Sequence, residues 1–133
     1  MNLSISQPSF VTFWGKNYSC LAKLLVEPGN NYRISIDADK NVKITGANEK
    51  GQMLYTTFPN PFTVEGEIRK IGYPYNDSTN VSFVRNKIND IMQIELSKLK
   101  ELLDNKEISK DFFDWIQKDR IFFYTALEAR FLI

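Results

Sequence analysis

Histidine is missing from all 133 residues, and cysteine occurs once. Without imidazole the commonest general base is gone, with every Ser-His and Cys-His nucleophile pair and the usual nitrogen ligands of zinc. Cys20 alone can close no internal disulfide and build no cysteine metal site, which fits a reducing compartment. Flanked by Leu21 and Ala22, it reads as a buried thiol. An excess of charge is also lacking. Seventeen Lys and Arg face 16 Asp and Glu, a net charge of +1, so no global field holds a polyanion or an acidic membrane. No apolar run approaches the about 20 residues of a bilayer span. Met1 to Ser9 has neither the basic segment nor the apolar run of a secretory signal. The 6 glycines fall in no phosphate-cradling spacing. The expectation is a cytoplasmic protein with no membrane contact, no cofactor and no metal.

What the chain has is apolar and aromatic bulk: 43% hydrophobic, 14% aromatic, with 10 Phe and 6 Tyr. That suits one core and a single domain over 1–133, β-rich in 1–85 and a helical pair in 86–133. From Phe10 to about Val84 the pattern has a period near two, punctuated by Gly, Pro and Asn. Tyr32, Ile34 and Ile36 alternate with Arg33, Ser35 and Asp37. Asp39, Lys40 and Asn41 supply turn chemistry, and Val42 and Ile44 resume the alternation, predicting a hairpin. Further strands are predicted at Phe10 to Trp14, Cys20 to Glu27, Met53 to Phe58, Phe62 to Ile71 and Val81 to Val84. The fold class is therefore expected to be α+β: an antiparallel sheet of six or seven strands, open or barrel-like, followed by two antiparallel helices packed on it.

After Arg85 the period becomes helical. Ile88, Ile91, Met92, Leu96, Leu99, Leu102 and Leu103 share one stripe, with Ile94 off it. Asp104, Asn105 and Lys106 break that helix, and Ser109 is a cap for the second, with Asp111 in its first turn. The second helix carries more apolar surface than one face can bury. Phe112, Ile116, Phe123 and Leu127 point inward; Trp115, Phe122 and Ile133 lie to one side, and Phe113, Tyr124 and Phe131 to the other. Trp115, Phe122 and Phe131 accordingly belong either to the core or to a homodimer contact.

Two carboxylate pairs have strand spacing, Asp37 with Asp39 and Glu65 with Glu67, each projecting from one face and able in principle to hold Mg²⁺ beside Lys43 or Lys70. Simpler roles serve them: Asp37 and Asp39 as hairpin and turn residues, Glu65 and Glu67 as a solvent face. The run Asp37 to Asn41 starts like a calcium loop, but Val42 stands where a glycine is needed and Asn48 where a bidentate Glu is needed. No catalytic residue is singled out.

Aromatic side chains among turn residues carry the functional expectation. Trp14, Tyr18, Tyr73, Tyr75 and Asn76 combine large contact area with adaptable hydrogen bonding, the mixture found where loops recognise proteins. They predict a non-enzymatic protein-binding module that occupies a macromolecular target stoichiometrically, in the manner of a bacterial immunity protein or a phage inhibitor. The abundance of Asn, Lys, Ile, Phe and Tyr, residues with AT-rich codons, suggests a low-GC bacterium, its phage or another AT-rich genome. The rival expectation is single-stranded nucleic-acid binding, with Lys16, Arg69, Lys70, Arg85 and Lys87 on phosphates and the aromatic rings on bases. The stretch Phe62 to Gly72 is similar to one strand of an OB-fold, with Gly66 at the bend, and that likeness implies an OB-like sheet.

Overall fold

Among the described residues, four short strands form two antiparallel hairpins. A computed structural model describes residues 4–16, 20–60, 66 and 78–132, with backbone alone at 78–80, 131 and 132. β1 (Ser9–Trp14) pairs with β2 (Cys20–Val26), and β3 (Tyr32–Ile36) with β4 (Val42–Gly46), each pair making its own two-stranded sheet. Thr12 lies opposite Lys23 and Phe10 opposite Leu25, and the register slips between Phe13 and Trp14. The second hairpin turns as its sequence predicts. The Asp37 carboxylate accepts the N–H groups of Asp39 and Asn41, both at 2.9 Å, and Lys40 takes the left-handed conformation that closes such a turn. Those donors, chiefly Asn41, hold the Asp37 carboxyl below the usual carboxylate range.

The remaining described elements are helices: α1 (Glu49–Thr57), α2 (Ser78–Asp104) and α3 (Lys110–Leu132). The class is α+β, but the sheet of six or seven strands and the barrel are overturned. Met53 to Phe58, predicted as a strand from its Tyr, Thr and Phe content, belongs to α1 and the residue that ends it. Its buried positions, Gly51, Gln52, Tyr55 and Phe58, recur at three and four residues, so packing overrides β propensity. Val81 to Val84, also predicted extended, lies in α2, where Val84 starts a buried stripe continued by Ile88. Of Phe62 to Ile71 only Gly66 is described, and it is helical.

α1 takes the place of a strand between the hairpins. Its Gln52 accepts the N–H of Leu25 at 3.0 Å and donates to the Leu25 carbonyl at 2.5 Å, while Thr56 accepts the N–H of Lys23 at 3.0 Å. On the other side the Met53 sulfur lies 3.2 Å from the N–H of Ile44 in β4. Side chains thus satisfy the inner edges of β2 and β4. Gly51 lets α1 settle on α3, because a Cβ there would collide with Phe112 and Ile108.

α2 and α3 run antiparallel, as the short break between them requires. The Ser109 hydroxyl caps α3 by accepting the N–H of Phe112 at 3.1 Å. α2 ends in paired 6→1 and 5→2 hydrogen bonds, Glu107 to Leu102 and Lys106 to Leu103, with Lys106 left-handed at φ 57°. Near this end Leu99, Phe112 and Ile116 join Leu25 and Tyr55 in the main core; at the other end Val84, Ile88, Tyr124 and Leu127 form a second cluster.

Candidate functional site

Two surfaces and one buried centre stand out. The first surface is β1. Lys23 and Leu25 direct their backbone groups away from β1, toward Thr56 and Gln52. Their partners Thr12 and Phe10 must then direct theirs away from β2, along the outer edge of β1. Among the described residues no hydrogen bond meets them there. Phe10 (41% exposed) and Trp14 (57% exposed) stand on one face, Phe10 leaning on the Tyr55 ring at 5.9 Å. Val11 and Phe13, on the other face, line a cleft of about 480 Å³ with Leu24, Val26, Tyr32 and Ile34, so that it lies between the two hairpins. At the cleft Glu27 receives the Asn48 side-chain amide, and burial holds its carboxyl above the usual range.

The second surface is a stripe of α3. Phe113 and Tyr124, on one predicted flank, are buried, whereas Trp115 and Phe122 on the other are 40% and 77% exposed. The Lys118 ammonium stands 5.8 Å from the Trp115 ring. Phe131 lies in α3 with its side chain outside the described atoms.

The buried centre is built from residues that the sequence expectations do not include. Arg120 is inside the protein, bonded to both carboxylate oxygens of Glu95 at 2.8 and 3.0 Å and to the carbonyl of Pro59 at 3.0 Å. The rings of Phe123, Tyr124 and Phe58 surround the guanidinium at 4.2, 5.2 and 5.3 Å. The Tyr124 hydroxyl donates to Glu95, and the Tyr55 hydroxyl donates to Asp119 at 2.9 Å. Burial and these carboxylates hold both phenols above their ordinary pKa. Lys23 lies over the Tyr55 ring at 4.9 Å, and burial, then the nearby Arg120 charge, lowers its pKa to about 8. No fully buried side-chain donor or acceptor among the described residues is left without a partner, and the bonds of this centre lock α2, α3 and the end of α1 together. A signal was present: Glu95 and Arg120 each interrupt the apolar stripe of their helix, with opposite charge.

The sequence-predicted residues are described only in part. Trp14 is exposed at the end of β1, while Tyr18, Tyr73, Tyr75 and Asn76 lie outside the described residues. Arg69 and Lys70 lie outside them too. Lys16 is exposed in the β1–β2 connection, and Arg85 and Lys87 are exposed on α2, where Arg85 pairs with Glu128 of α3 at 2.6 Å. Cys20, expected buried, is half-buried. Asp37 acts as a turn residue, Glu65 and Glu67 are outside the described residues, and no group of three or more candidate metal ligands occurs among those described. No described helix is long and apolar enough to cross a membrane. Comparison with protein-family models, with curated proteins and with solved structures found no match to this chain.

Proposed function

We propose that this chain is a protein-binding module that acts by stoichiometric occupation of a protein target, without chemistry of its own. The observation that carries the reading is the exposure of Trp14, with Phe10 two positions of the same face further along β1. Leaving large aromatic groups in water forgoes about 1.5–3 kcal/mol of burial each, which a bound partner recovers. The half-buried Cys20 suits a reducing interior. A homodimer through α3 is a second reading, favoured by the exposure of Phe122 beside Trp115.

The test is calorimetry against a partner isolated with the tagged chain and then purified. The expected result is one-to-one stoichiometry, with Trp14→Ala weakening the complex at least about tenfold, or about 1.4 kcal/mol, and leaving the melting temperature unchanged. Full-strength binding by Trp14→Ala removes this reading. For the second reading, light scattering should give a dimer that Phe122→Ser dissociates; a monomer at all concentrations removes it.

A further inference from the structure

We propose that the outer edge of β1 receives an extended segment of a partner protein as an added strand, a mode of contact that rests on the protein-binding reading and specifies it. Three features converge on this edge. The backbone groups of Phe10 and Thr12 point outward, and the chemical group that complements a row of alternating donors and acceptors at strand spacing is another strand. Charge and proline, two devices that normally blunt an edge, are missing from β1, and its one irregularity lies at its far end, between Phe13 and Trp14. No charged side chain occurs from Ser4 to Gly15, and Pro8 precedes the strand instead of interrupting it. The inner edges of β2 and β4 are sealed by α1, and the other outer edge, β3, carries Arg33 and runs into Asp37, so the uncharged edge is β1.

The two faces of β1 define what the incoming segment must carry. Side chains of an added strand alternate in the same way as those of β1. Every second one falls on the side of Val11 and Phe13, where those two side chains with Leu24 and Val26 favour apolar residues, while the mixed cleft of about 480 Å³ beyond them also offers Glu27, Asn30 and Asn31. The others fall beside Phe10, Thr12 and Trp14, where aromatic or β-branched residues pair best. The partner segment is therefore extended, alternating, and without proline at positions that donate to the ladder. A second copy of β1 meets the backbone requirement, but a contact of two six-residue strands falls short of the about 1,200 Å² at which stable association begins. A longer foreign segment can continue past β1 into the cleft.

The probe is a library of random linear dodecapeptides panned against the immobilised full chain. Selected peptides should show apolar residues at alternate positions. Their binding should slow amide hydrogen exchange at Phe10 and Thr12 at least about tenfold while Val11 and Phe13, already in the β1–β2 ladder, change little. Thr12→Pro, which removes an outward N–H, should lower affinity at least about tenfold, and Thr12→Val should not. The exchange measurement uses the unaltered protein, so it decides the matter even where Thr12→Pro fails to fold. Failure to select any peptide, or binding that leaves Phe10 and Thr12 exchange unchanged, overturns the proposal. A concentration-dependent dimer that protects the same two amides also overturns it, by assigning the edge to a second copy. A purified partner that binds one-to-one, needs Trp14 and leaves those amides unprotected would keep the protein-binding reading and remove strand addition alone.

Discussion

The carboxamide of Gln52 lies against Leu25 so that one side chain of α1 serves both the N–H and the carbonyl of a residue in β2. Leu25 and Gln52 are both fully buried, so water cannot replace either bond. Gln52→Leu preserves bulk and strands two backbone groups. The expected loss is about 2–6 kcal/mol of unfolding free energy, since each of the two abandoned buried groups costs about 1–3 kcal/mol. Urea denaturation followed by circular dichroism measures it, and a loss below 1 kcal/mol would mean that the edge of β2 finds other partners.

The Arg120–Glu95 pair makes a prediction that single and double substitutions separate. Arg120→Met leaves a buried carboxylate facing the Tyr124 hydroxyl alone and should cost about 3–5 kcal/mol. Removing both charges, with Arg120→Met and Glu95→Leu, should cost less than Arg120→Met by itself, because no uncompensated charge remains. The four unfolding curves form a double-mutant cycle, and additive losses would show that the two residues act independently.

Lys23 sets a pH dependence. Its pKa in the folded protein is about 8, against 10.5 when exposed. Between those values the unfolded chain binds more protons, so this residue makes stability rise with pH across that window and contributes its full penalty below pH 8. Tyr55 and Tyr124, whose phenols stay protonated in the fold, act in the opposite sense above about pH 10, where the unfolded chain releases protons first. Unfolding free energy should therefore rise by about 1–2 kcal/mol from pH 8 to pH 10 and then fall. Lys23→Met should flatten the rise, and chemical denaturation at half-unit pH intervals would detect it.

At the end of α2 a lysine occupies a position that suits glycine. Lys106 holds φ 57° while its N–H completes the 5→2 bond to Leu103. Lys106→Gly should stabilise the protein by about 1 kcal/mol by relieving the left-handed conformation. The thermal midpoint would report it, and a decrease would show that the lysine side chain supports the turn.

Local chemistry made the hairpin around Asp37, the break at Asp104 to Lys106 and the cap at Ser109 legible, because each depends on residues within a few positions of one another. α1 was not legible. Tyr55, Thr56, Thr57 and Phe58 favour strands, and what makes the segment helical is distant: the β2 edge that takes Gln52 and Thr56, and the α3 face that takes Gly51. Val81 to Val84 is helical for a similar reason, since the mate of Val84 is the Tyr124 and Leu127 surface of α3. Of the candidate site, the exposure of Trp14 could be expected from its neighbours, but the open edge of β1 could not. That edge exists because β2 turns its other side to a helix, a relationship between Thr12, Lys23 and Thr56 that spans more than forty residues.

At Gly51 a single hydrogen atom sets how closely α1 approaches Phe112 and Ile108. The same helix grips one hairpin through Gln52 and Thr56 and the other through Met53. Widening that gap by one methyl group would pull on both grips together, so two sheets that share no backbone bond with each other are coupled through one helix.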